Sequence, residues 1–142
     1  MAAKSTYLAN GLLALILNAT AIANLAQNGV SPITQLWLSL HTSSPGASGN
    51  QSTNEAAYTS YARTVIARSA AGFTVAAAIA TLTSAVNFPQ CSGGAEVETY
   101  VGVGQAASGA GNLFYFGPLS PTIAVSNGTT PQLTTGTTIT ES

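Results

Sequence analysis

The spacing of apolar positions along the chain changes once, and that change divides it into a helical part and a strand part. Between Thr6 and Gln27, Leu8, Leu12, Leu15, Ile16, Ala19, Ile22 and Ala26 recur every three or four residues. This predicts an amphipathic helix with a broad apolar stripe and a small, uncharged opposite face. Asn28-Gly29 is the expected C-cap, and Ser31-Pro32 starts a new extended segment. From there the period is two. The predicted strands are Gln35 to Thr42, Tyr61 to Arg68, Phe73 to Ala77, Ile79 to Thr83, Val86 to Phe88, Glu96 to Gly104, Leu113 to Phe116, Thr122 to Val125 and Gln132 to Thr140, separated by Gly, Pro, Asn and Ser clusters. The Ala76 to Ala80 run is helical by propensity alone, but its Thr, Val and Phe neighbours make it a strand.

One helix followed by eight or nine short strands, with no helical pattern between them, predicts a mainly β fold and excludes a parallel βαβ arrangement. The expected architecture is an antiparallel β-sandwich of about eight strands, jelly-roll-like, with one N-terminal helix. In domain terms, residues 1–30 form a helix packed on or beside a single β-sandwich domain spanning 31–142. No repeat at a period of 20–50 residues marks a solenoid or a fibre shaft.

The helix is too short in its dense apolar run, Leu12 to Leu17, and too rich in amides to span a membrane. Its stripe still needs a cover, and two remain open: the chain's own β domain, or a neighbouring subunit that Leu12 and Ile16 would contact.

Charge sharpens the picture. The 142 residues carry only Lys4, Arg63 and Arg68 against Glu55, Glu96, Glu98 and Glu141. Three basic residues cannot neutralise a run of phosphates, so no nucleic-acid partner is expected. So weakly charged a chain has little colloidal repulsion, which implies that protein partners cover much of its surface. The single cysteine, Cys91, excludes an intramolecular disulfide and has no companions for a metal site. The triplets at Asn18 and Asn127 that resemble glycosylation sites carry no weight, being common by chance.

Catalytic chemistry finds no foothold. With one histidine, any hydrolytic triad must use His41, which sits in a strand pattern without a G-x-S-x-G elbow. Glu96 and Glu98 alternate onto one strand face about 7 Å apart, whereas glycosidase carboxylates flank the scissile bond from two sides; a solvated or interfacial face is the expected setting. Gly102-Val103-Gly104 and Gly109-Ala110-Gly111 lack the lysine and helix start of a phosphate loop. No enzyme activity, cofactor or metal is expected.

The distinctive stretch is Leu36 to Ser69, LWLSLHTSSPGASGNQSTNEAAYTSYARTVIARS. A strand with Leu36, Leu38 and Leu40 on one face and Trp37, Ser39 and His41 on the other leads through a long neutral loop to a second strand. Turns at Pro45-Gly46 and Gly49-Asn50, with amides and hydroxyls at Gln51, Ser52, Thr53 and Asn54, suit a loop lying along another protein. Arg63 and Arg68 occupy opposite faces, with Glu55 the charge partner for either. Each arginine is open to two readings: a planar fork holding a carboxylate or backbone carbonyls, or a surface ion pair. Trp37, Pro45, Asn50, Gln51, Asn54, Glu55, Arg63 and Arg68 join Leu12 and Ile16 as candidate partner contacts.

The pattern SLHT-x-x-PG, GNQSTNE, Y-x-x-YAR-x-x-x-ARS resembles a family of small tailed-phage virion proteins labelled tail fibre proteins or head decoration (cement) proteins. The likeness extends to LLALILNATAIANLA, NFPQCSGG, YVGVGQAASGAGNLFYFGPL and the closing L-TTGTTITE. Phe73 departs from it, standing where a tryptophan often follows Ala-Gly, and so does the Ala-rich stretch Val75 to Ala80. The resemblance implies a non-enzymatic virion component. Its first reading is a capsid cement on the head surface that bridges major capsid proteins and copies of itself as a homo-oligomer. The alternative is a tail or tail-fibre part contacting baseplate or host receptor. Small size and the lack of a fibrous repeat favour cement.

Overall fold

A computed structural model describes residues 6–21 and 33–140. It is mainly β with antiparallel pairing and one helix near the N-terminus: α1 (Thr6–Asn18), β1 (Gln35–His41), β2 (Thr64–Ala67), β3 (Phe73–Ala76), β4 (Ile79–Leu82), β5 (Val86–Asn87), β6 (Ala95–Gly104), β7 (Leu113–Ser126), β8 (Gln132–Leu133) and β9 (Thr138–Thr140). The strands form a four-stranded sheet in the order β2-β1-β6-β7, a three-stranded sheet β3-β4-β9 and a pair β5-β8. The chain divides into two compact units.

The first unit holds residues 1–35, 67–85 and 133–142. In it α1 lies against β3 and β4. The buried helix positions are Ala9, Leu13 and Leu17, while Leu12, Leu15 and Ile16 are half-buried. The covered stripe is therefore rotated from the expected one: Leu, Ile and Ala occur all round this segment, so apolar spacing alone left its inward face ambiguous. The helix also ends earlier than expected. Ala19 takes a left-handed φ of 54° and the Thr20 amide donates to the Ala14 carbonyl, closing the helix at Asn18. The expected cap at Asn28-Gly29, and Ile22 and Ala26 of the stripe, lie outside the described residues.

The Ala76 to Ala80 run is a hairpin tip rather than one strand. Ala76 pairs with Ile79, leaving Ala77 and Ala78 as a two-residue loop with φ of 50° and 63°, the signs of a type I′ turn. The Ala78 amide donates to Asn10 Oδ1 of α1.

The second unit holds residues 36–66 and 86–132. β1 and β6 pair from Trp37↔Gly104 to His41↔Tyr100, burying Leu36, Leu38, Leu40 and Val103; each such leucine contributes about 2 kcal/mol. Two predicted strands merge into β7, because Tyr100 faces Pro118 while Glu98 faces Ile123, so residues 119–122 bulge out opposite Thr99. The reverse happens at the end of the chain. The segment expected as one strand over Gln132 to Thr140 splits at a turn in which the Thr137 amide donates to the Thr134 carbonyl. β2 is shorter than expected, starting at Thr64, because Tyr61 and Arg63 leave the strand to join the network below.

Candidate functional site

Residues 36–66 of the distinctive stretch build one hydrogen-bonded cluster in the second unit. Ser39 and His41 share a face of β1, and both are fully buried. His41 Nδ1 lies 2.9 Å from the Thr53 carbonyl, which only accepts, so Nδ1 carries the proton. Nε2 is then the acceptor for the Ser39 hydroxyl at 2.9 Å. Burial lowers the His41 pKa, which favours this neutral form. A Cβ at Gly102 would stand 2.7 Å from Ser39 Oγ and 2.8 Å from His41 Nε2, so the strand opposite must be glycine here. Serine and histidine are bonded, but the pair is sealed under β6 and its third partner is a carbonyl rather than an acid.

Gln51 reaches into a slot lined by Gly104 and Gly111, where added Cβ atoms would come within 2.2 and 2.4 Å of its side chain. It donates to the Trp37 carbonyl and accepts from the Ala106 amide, while its own amide donates to the Gly111 carbonyl. Arg63 is 6% exposed. Its fork meets Glu55 twice, Nε to Oε1 at 2.6 Å and Nη2 to Oε2 at 2.8 Å. The same guanidinium donates to the carbonyls of Ala106 and Gly109 at 2.9 and 2.7 Å. Tyr61 Oη donates to Glu55 and accepts from the Leu40 amide; burial, the largest cause, raises its pKa. Gln51 and Arg63 together therefore grip the β6–β7 connection, residues 105–112, whose tip at Ala107 to Ala110 is exposed.

These contacts redirect much of what the sequence suggested. Gln51, Glu55 and Arg63 spend their polar groups on their own chain, and so does Arg68, which donates to the carbonyls of Leu15, Ile16 and Ile33 in the first unit. Arg68 thus neutralises the end of a helix that has no basic residue in its last turn. Asn54 holds φ of 55° and donates to the Ser44 carbonyl; Asn50 accepts from the Ser52 amide. Pro45 is buried, while Trp37, Leu12 and Ile16 are half-buried. The 43–57 loop folds onto its own sheet.

Of the two settings expected for Glu96 and Glu98, the solvated face is not what the fold builds. Glu96 Oε1 accepts the amides of Ala57 and Tyr58, both at 2.8 Å. Glu98 is fully buried, and its carboxyl oxygens receive no donor among the described residues, with the Glu96 carboxylate the acceptor it meets when protonated. Burial, then the neighbouring Glu96, pushes its pKa up to about 8. Tyr58, which donates to the Pro89 carbonyl, is pushed up to about 12 by burial and by the Glu98 charge. No signal in the sequence separates these two glutamates, which stand two residues apart on one strand.

None of the five charged residues described is exposed. Among the described residues no three His, Cys, Asp or Glu side chains gather to hold a metal, and no helix is long and apolar enough to cross a membrane. Among the described residues this is an antiparallel β protein whose charged side chains are turned onto its own chain. Residues 3–141 match the family described as podophage GP4 fiber I protein gp80, and the chain belongs to that phage virion protein family. Comparison with curated proteins gives no match.

Proposed function

We propose that this protein is a non-enzymatic, fibre-type structural component of a tailed-phage particle, located at the tail. The match over residues 3–141 carries this reading, because the family's description names a fibre protein. It reverses the order expected from sequence, which put a head cement first for its small size and lack of fibrous repeat; those features do not separate a short fibre module from a cement. The neutral described surface supports assembly with other proteins in place of electrostatic capture of a polyanion. In this reading its partners are copies of itself and neighbouring virion proteins.

Immunogold electron microscopy of intact particles tests the location. Gold confined to the tail is the expected result. Gold spread over the head would favour the cement role, with the major capsid protein as partner.

A further inference from the structure

Glu98 is a carboxyl group buried where nothing donates to it. It projects from β6 on the face that also carries Glu96, two residues before it, and Tyr100, two residues after. Both its oxygens are shut off from water and receive no donor among the described residues. Glu96 meets it, and uses its own Oε1 to accept the Ala57 and Tyr58 amides, both at 2.8 Å. The other groups around the pair bring no positive charge. Tyr58 donates its hydroxyl to the Pro89 carbonyl, and Cys91 turns its thiol to the carbonyls of Gly93 and Gly94. β7 sets Ile123 opposite Glu98 and Val125 opposite Glu96, and carries no charge. β1 sets His41 opposite Tyr100, and burial favours its neutral form. The second unit holds a single cation, Arg63, and that one is bound to Glu55.

We propose that one proton shared by Glu98 and Glu96 latches residues 57–61 onto β6, and that loss of this proton opens the segment while the sheet stays folded. When protonated, the Glu98 hydroxyl donates to the Glu96 carboxylate, which then holds the two amides as the only negative charge of the pair. When the proton leaves, two carboxylates meet in a dry site with no cation between them, and the strain is relieved by letting water in. What can move is narrow. Residues 57–61 are tied to β6 by Glu96, and to the turn beyond Pro89 by the bridge in which the Thr59 amide donates to the Gly93 carbonyl. Within them Ser60 holds φ of 80°, a left-handed conformation that a non-glycine residue keeps only where its surroundings impose it. β1 and β6, in contrast, are paired continuously from Trp37 to His41. The latch does not depend on where in the particle the protein sits.

The closed segment holds the Glu98 proton more tightly than the open one, in which the carboxyl is solvated. Closure is therefore strongest in acid and weakens as pH rises between 4.5 and about 8, by up to about tenfold per pH unit while opening releases one proton. Hydrogen–deuterium exchange of the full chain, resolved by residue and corrected for intrinsic rates, tests this between about pH 5 and pH 7. The amides of Ala57, Tyr58, Thr59 and Tyr61 should lose protection by about tenfold per pH unit, while those of the β1–β6 pair keep theirs. Glu98→Gln, which can donate to Glu96 at every pH, should flatten that slope. Wild-type protection at residues 57–61 that does not change with pH would overturn the proposal. So would an equal loss in β1 and β6, which would be global unfolding, or a slope that persists in Glu98→Gln, which would assign it to His41 or another group.

Discussion

At the residue scale, the five charges among the described residues act inside the protein. Arg63 joins Glu55 to two carbonyls of the β6–β7 connection, and it is nearly fully covered. Removing one partner of so buried a pair leaves the other charge unmatched, so Arg63→Ala should lower unfolding free energy by about 3–5 kcal/mol. Arg63→Lys should recover only part of that loss, since an ammonium cannot reproduce the fork; urea denaturation followed by fluorescence measures both. Glu98 makes a pH prediction. Its pKa is raised from 4.5 to about 8 in the folded chain. The folded state therefore holds this proton more tightly than the unfolded one, and Glu98's contribution is most favourable below about pH 4.5 and is lost as pH rises towards 8. Glu98→Gln, which cannot ionise, should raise the melting temperature over the wild type more at pH 8 than at pH 4.5. An equal shift at both values would show that the carboxyl is not held neutral. His41, which offers no triad, bonds Ser39 and Thr53. His41→Ala therefore acts first on stability.

At the element scale, the period-two pattern placed most strands near their observed positions, because alternate apolar residues such as Leu36, Leu38 and Leu40 of β1 are buried. It misplaced what depends on long-range contacts. Nothing local in Thr6 to Gln27 shows that Arg68 closes the helix at Leu15 and Ile16, fifty residues away, or that Leu13 and not Leu12 faces inward. The Ala77-Ala78 turn was illegible for another reason: two alanines lack the Asn-Gly signature of a type I′ hairpin. They hold left-handed φ at a cost of roughly 1–2 kcal/mol per residue. Ala77→Asn with Ala78→Gly should therefore raise stability by about 1–2 kcal/mol, read as a higher urea midpoint at unchanged m-value. A lower midpoint would mean that the alanine methyls make contacts worth more than the backbone relief.

At the scale of the whole molecule, the low charge was legible in composition, and so was the structural virion role that the family match supports. The location of that role was not. The 36–69 motif carried the family resemblance, yet in the fold Gln51 and Arg63 of that motif hold the chain's own β6–β7 connection. A motif rich in amides and arginine reads the same whether it grips its own backbone or another protein's, and only the fold separates the two. The central claim is that this chain is a structural part of the particle. Quantitative mass spectrometry of gradient-purified virions tests it most directly. The account predicts that the protein stays with infectious particles through high-salt washing, at a fixed ratio to the major capsid protein and far below equality with it. Absence from washed particles, or a ratio that varies between preparations, would contradict it.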